Sequence, residues 1–354
     1  LVSRGRDAPL AVEDIDLPEV GPGLVRVRVR AAGVCHSDLS MVNGTLSPPF
    51  PLVLGHEAAG VVVEVGDGVS HVRPGDQAVL NWSPACRQCW YCTNGEPHLC
   101  ERAVGPARPG GTASDGTPLH VTLGLGALAE EVVVAGSAVV PVPAGVPVAE
   151  AALLGCAVMT GVGAVRHTAA VKPGESVLVI GLGGVGLSVV TAARVAGAAP
   201  LIAVDVSEAK RDLALSAGAT DYLVSDDTLS KAVRELTGGR GADHAFECVG
   251  RSATIQAAWR AARRGGHVTV VGMGAKDDLV QLGALDIFHS AKVLRSSVYG
   301  ASDPDRDVPG LAAAVLDGSL NLGPLITDRI GLDDTPAAFD RMTRGEGGRS
   351  VVIF

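Results

Sequence analysis

The sequence predicts an α/β protein with a compact, barrel-like β region in its first part and a doubly wound parallel sheet in its second. Three observations carry this expectation. Residues 25–142 hold short strand-like runs separated by Gly and Pro turns, without a long helical pattern. From residue 177 to 299, six apolar runs alternate with segments of helical period, the order that builds a parallel sheet with helices on both faces. Between Val177 and Asp205, a strand, a glycine-rich turn, a helix and a second strand follow one another without interruption.

In the first part, Val25, Val27 and Val29 alternate with Arg26, Arg28 and Arg30, which describes a strand with one buried and one wet face. Cys35-His36-Ser37-Asp38 opens a short helix to Val42, and residues 43–51 form a Gly/Pro loop. Further strands are expected at 60–66, 77–81, 129–134 and 139–142. Cys86, Cys89, Cys92 and Cys100 are spaced C-x2-C-x2-C-x7-C, and four thiolates so close can close a tetrahedron around one zinc ion. Such a site has no open position, so it shapes a lobe. Disulfides are the competing reading, and the size of the chain weighs against them. Residues 101–120 read as a long loop.

A small-residue helix is expected over 147–166, carrying Cys156. Then comes Gly181-x-Gly183-x-x-Gly186, with Asp205 nineteen residues beyond the last glycine. The first glycine permits a tight turn, the second lets backbone approach a pyrophosphate, and the third lets helix pack on strand. The acid is placed for a ribose diol. A carboxylate there repels a 2′-phosphate, so NAD is expected over NADP. Strands at 177–180, 201–204, 222–224, 243–249, 267–272 and 293–299 complete the sheet. Residues 303–309 read as a polar linker, followed by helices at 311–316 and 335–344 and a strand at 350–354 that returns to the first part.

Composition bounds the function classes. The 354 residues give room for two full cores, and 47% hydrophobic with 19% charged residues suits a globular chain. A net charge of −9 argues against a nucleic-acid surface. No apolar run approaches a membrane span, and the segment 1–10 lacks the apolar core of an export signal, so no membrane partner and a cytoplasmic location are expected.

These motifs make the sequence resemble the zinc-containing medium-chain alcohol dehydrogenases over nearly its whole length. Gly55-His56-Glu57-x2-Gly60-x5-Gly66-x2-Val69 resembles the family's zinc signature, Cys35-His36-Ser37-Asp38 its first ligand segment, and Leu154-Gly155-Cys156 its third. The resemblance implies a GroES-like β-barrel catalytic domain over 1–157 and 299–354, with the structural zinc lobe at 86–100, and a Rossmann NAD-binding domain over 158–298. It implies two zinc ions per chain. Cys35, His56 and Cys156 would bind the catalytic one, with Glu57 just behind it and Asp38 holding the ring N–H of His56. Two thiolates and one imidazole leave an open position, as a Lewis-acidic site requires, and a carboxylate behind a ligating histidine is its usual support.

By the same resemblance, Ser37 would pass the alcohol proton toward the nicotinamide ribose. Many relatives end that relay with a histidine where this chain has Ser40. His36, Thr160, Gly181, Gly183, Gly184, Val185, Gly186, Asp205, Lys210, Val271 and Arg349 would contact the cofactor. Leu46, Trp82, Leu99 and Met273 would line a mostly apolar substrate pocket, which points to a hydrophobic or aromatic primary or secondary alcohol or its carbonyl partner. A thiol-adduct formaldehyde dehydrogenase or a polyol dehydrogenase of the same family is the alternative, and a zinc-ribbon binding module is the reading from another class. Cys248 is the one cysteine outside both ligand sets and reads as a buried strand residue. The strand 293–299 falls last in its sheet and is apolar, so it is expected to pair with its copy in a C2 homodimer. The long 101–120 segment points the same way, because the tetrameric branch tends to be shorter there.

Overall fold

The alternating valines and arginines of 25–30 form one long strand, Leu24–Gly33, with Val25, Val27 and Val29 fully buried. In this computed structural model, which describes residues 1–103 and 110–354, that strand is the centre of the first of two compact units. This unit comprises Leu1–Met159, Asp303–Ser319 and Ile326–Phe354. Leu24–Gly33 pairs antiparallel with Ala58–Val65, Glu131–Ala135 and the C-terminal strand Arg349–Ile353. The chain end therefore returns to the first unit. A second sheet of short strands flanks it, running from Leu10–Ala11 through Val2–Ser3 and Leu52–Val53 to Ile15–Asp16. The valines, with Leu52, Leu54, Leu80 and Leu128, form one continuous core.

The second unit comprises Thr160–Ser302 and Leu320–Leu325. Its six strands are all parallel. In spatial order they are Asp221–Val224, Leu201–Asp205, Val177–Ile180, Ala242–Glu247, Ala262–Val270 and Val293–Ser296. Numbered along the chain, this is 3-2-1-4-5-6, the doubly wound order that reverses beside the first strand and leaves the glycine-rich turn at the switch point. Val177–Ile180 is buried on both faces, as a central parallel strand must be.

Several expectations need correction. Residues 303–309 are not a linker: they begin a thirteen-residue helix, Pro304–Leu316. Pro304 lies in the first turn, where a missing N–H costs nothing, and Asp305 and Asp307 complement the positive end of the helix dipole. The 101–120 segment contains an antiparallel pair, Gly111–Ala113 with Pro118–Val121, while residues 104–109 lie outside the described residues. The strand Ile326–Ile330 and the short N-terminal strands carried too little alternation to be read. The last sheet strand stops at Ser296, and Tyr299 turns into the interior at positive φ, 3% exposed. Cys248 lies just past its strand and is half-buried. One helical segment, Val148–Ala169, is long and apolar enough to cross a membrane, but 83% of its apolar window is buried inside the protein, as in a core helix.

Candidate active site

Three elements of the first unit bring the signature residues together. Cys35 precedes the helix His36–Val42, His56 and Glu57 precede the strand Ala58–Val65, and Cys156 sits in Leu154–Val158, a π-helical turn within the long helical segment. π-turns widen a helix locally and occur often at functional sites. All three side chains are buried, and their ligand atoms lie within 4.8 Å of one another. Cys156 Sγ is 3.4 Å from His56 Nε2. A tetrahedral zinc with ordinary bond lengths puts sulfur and nitrogen about 3.5 Å apart, so the donor set fits the ion.

Behind this set the polar groups are ordered. His56 Nδ1 lies 3.1 Å from Asp38 Oδ2, both fully buried, and neither atom has another partner. Asp38 Oδ1 accepts from the Gly55 N–H at 2.9 Å. Glu57 is 0% exposed. It accepts from the Ala157 N–H at 3.2 Å through Oε1 and from Arg349 Nη2 through Oε2. Burial pushes the Glu57 carboxyl up to about 7 against the Arg349 charge. The Cys35 thiol is held well below its ordinary range by a hydrogen bond from Cys156, against burial, with the charges of Arg349 and His56 adding to it. The Cys156 thiol is pushed the other way, well above its ordinary range, by the same hydrogen bond to Cys35 and by burial, so the set favours one anionic sulfur shared between the two.

Sequence reasoning missed two parts of this site. Arg349 is 4% exposed and pairs with Glu57, 292 positions away in the chain, a partner the sequence did not point to. Gly33 makes room for that pair, since a Cβ there would stand 2.7 Å from Glu57 Oε2. Ser37 and Ser40 lie on the same helix as Asp38 and are half-buried; His36 is exposed. Leu46 and Trp82 pack on the first unit's core, and Leu99 is half-buried in the cysteine lobe.

In that lobe, Cys89 Sγ lies 3.5 Å from Cys92 Sγ and 3.9 Å from Cys100 Sγ, and Cys86 Sγ lies 3.9 Å from Cys92 Sγ. Sulfurs around a tetrahedral zinc are about 3.8 Å apart. The N–H groups of Cys86 and Arg102 point at Cys100 Sγ, and that of Cys89 at Cys86 Sγ. None of the cysteines is in a disulfide. The lobe fits a closed four-thiolate zinc site.

The second unit holds the dinucleotide motif. Gly183 caps the helix Gly184–Val195 with nothing near its missing Cβ, so a phosphate can approach. A Cβ on Gly186 would lie 1.8 Å from the Gly181 carbonyl oxygen, so only glycine fits. Val185 follows on the same first turn. Asp205 ends its strand half-exposed, accepting from the Leu182 N–H at 2.8 Å and the Ser207 N–H at 3.2 Å. Lys210, 7% exposed, is pushed below its ordinary range by burial and partly restored by Asp205. Thr160 is nearly buried, Val271 follows the strand Ala262–Val270, and Met273 is 54% exposed.

The known relatives agree with both units. Residues 21–144 match the alcohol dehydrogenase GroES-like domain, and residues 184–316 match the zinc-binding dehydrogenase domain. An S-(hydroxymethyl)glutathione dehydrogenase of Escherichia coli O157:H7 is 36% identical, over 98% of this chain and 96% of that protein. The chain belongs to the zinc-containing medium-chain alcohol dehydrogenase family. Among solved structures, the dehydrogenase resembles an alcohol dehydrogenase zinc-binding domain protein from Burkholderia ambifaria (TM-score 0.93, 31% identity, 100% and 97% of the two chains). It also resembles benzyl alcohol dehydrogenase from Acinetobacter calcoaceticus (TM-score 0.91, 27% identity, 100% and 98%). The GroES-like and doubly wound expectation holds for this dehydrogenase, and a lone zinc-ribbon module is set aside.

Proposed function

We propose that this enzyme interconverts a hydrophobic or aromatic alcohol and its carbonyl compound, with NAD as hydride carrier and two zinc ions per chain. The observation that carries the reading is the buried Cys35–His56–Cys156 set with Asp38 behind the histidine. Bound there, zinc would supply Lewis acidity to the substrate oxygen. Asp38 accepts from the His56 Nδ1–H and so keeps the Nε2 electron pair directed at the metal position. Ser37 takes the hydroxyl proton by hydrogen bond and passes it outward; with serine at position 40 the relay ends in water. Glu57 stands behind the metal position. The glycine turn receives the pyrophosphate, and the Arg349 charge balances that of Glu57. The division into a catalytic domain, 1–157 with 299–354, and an NAD domain, 158–298, is supported by the two compact units.

The apolar character of Leu46, Trp82, Leu99 and Met273 favours a hydrophobic substrate, while the names of the curated relatives favour a glutathione adduct. A panel of alcohols with NAD, benzyl alcohol and S-(hydroxymethyl)glutathione among them, separates the two. Higher kcat/KM for benzyl alcohol supports the proposal, and higher kcat/KM for the thiol adduct overturns its substrate class.

Asp205→Gly is expected to raise KM for NAD and improve use of NADP. Losing a charge-assisted hydrogen bond to the ribose costs about 1.5–3 kcal/mol, one to two orders of magnitude in affinity. Unchanged discrimination in initial-rate kinetics would refute the cofactor assignment.

We also propose a C2 homodimer, cytoplasmic in location. Val293–Ser296 is a sheet edge, with Val293 and Leu294 each 42% exposed, and Phe288 and Leu285 beside it in sequence are 79% and 72% exposed. Pairing with a second copy would cover this edge. Light scattering after size exclusion should read roughly 70 kDa, twice the 35.8 kDa chain mass. A monomer mass would sink the edge-pairing argument.

A further inference from the structure

One side chain of the four-cysteine lobe reaches a distant segment of the same unit. Arg87, between Cys86 and Cys89, has φ 61. Its guanidinium forks onto Asp303, with Nη1 2.8 Å from Oδ2 and Nη2 2.6 Å from Oδ1, and Nη2 also meets Asp305 Oδ2. The two ends of this contact are 216 residues apart. Bidentate guanidinium–carboxylate pairs fix orientation as well as distance.

Asp303 stands at the N-cap position of the helix Pro304–Leu316 with both carboxylate oxygens on Arg87 rather than on the helix N–H groups, and its own N–H donates to Asp307 Oδ2 at 2.8 Å. Three acids therefore crowd one helix start. Arg306 pairs with Asp307, and Arg87 answers the other two. Through Val308, Leu311 and Ala312, all nearly or fully buried, the helix packs into the unit. Its neighbours there are the strand Val139–Pro141 and the π-turn Leu154–Val158, and that turn carries Cys156. A π-turn departs from the regular i→i+4 ladder, so its register depends on what packs against it.

We propose that Arg87 is a positioning residue that couples the four-cysteine lobe to the three-donor centre. It does so through Asp303, Asp305 and the helix that backs Cys156. The lobe's fold sets where the guanidinium stands, the guanidinium sets the helix start, and the helix holds the turn that presents the third ligand. This rests on the reading of the two zinc sites given above.

The test uses the full chain loaded with cobalt(II), whose visible bands separate a site with a nitrogen ligand from a four-thiolate site. Release of the three-donor cobalt to a chelator is followed in the unmodified protein, Arg87→Ala, Arg87→Lys and Asp303→Asn. Arg87→Ala is expected to release that metal about tenfold faster while keeping the lobe's metal. Kcat should fall and KM for NAD stay unchanged. Arg87→Lys, which offers a charge without the fork, should recover only part. Asp303→Asn lies outside the lobe and should reproduce the effect even if Arg87→Ala fails to fold. Unchanged release of the three-donor metal in Asp303→Asn, or acceleration confined to the lobe metal, overturns the coupling alone. Only one bound cobalt in the unmodified protein overturns the two-site reading and the coupling together.

Discussion

Cys156→Ser is expected to lower kcat by about three orders of magnitude or more while leaving the fold and NAD binding intact. Serine is nearly the size of cysteine, so the 8% exposed position keeps its packing. What changes is the donor: a hydroxyl does not replace a thiolate on zinc. Lewis-acid stabilisation of a reacting oxygen contributes several kcal/mol, and each 1.4 kcal/mol is about tenfold in rate. His56→Ala should act alike, and it also strands Asp38 in a fully buried position. Cys35→Ser completes the set. Metal analysis, NAD titration by fluorescence and steady-state kinetics check all three. Near-native kcat in any one of them, with a single zinc bound, would show that the ligand assignment is wrong.

The parts of this site that could be read in the sequence are those whose physics is local. Gly181, Gly183 and Gly186 carry their own turn, their helix and Asp205 within thirty residues. The lobe's four cysteines are close together in the chain, and their sulfurs fall at 3.5–3.9 Å for the pairs in contact. Cys35, His56 and Cys156 are far apart in the chain, and it was the signature around each, rather than any pattern linking them, that pointed to one centre. What escaped reading has long-range causes. Nothing near Arg349 announces that its partner is Glu57, or that Gly33 must lack a side chain for the pair to fit. The π-turn at Leu154–Val158 has no sequence mark, because a shifted register arises from packing. Residues 303–309 looked like a linker because three aspartates and two prolines suppress the helical period. The same aspartates complement the positive end of the helix dipole, and Arg87 offsets their mutual repulsion.

Cys92→Ala should fail differently from Cys156→Ser, in stability before chemistry. The four sulfurs enclose a closed site, and the binding energy of a structural zinc is folding energy, since the unfolded chain holds no preformed site. Removing one ligand leaves three thiols around an incomplete tetrahedron, and the lobe has little apolar core of its own to replace the lost link: Trp90 is 64% exposed and the short helix Trp90–Thr93 has no buried residue. Loss of a structural metal belongs with the few changes that cost about 4 kcal/mol or more. For a unit of this size that is on the order of 10 °C in melting temperature. Calorimetry or circular dichroism should show an early transition, and aggregation should follow because the lobe's polar backbone loses its order. Zinc stoichiometry should fall from two to one, with the remaining ion in the three-donor centre. A Cys92→Ala protein that melts like its parent yet turns over no substrate would remove the structural role from the lobe and assign its metal to chemistry.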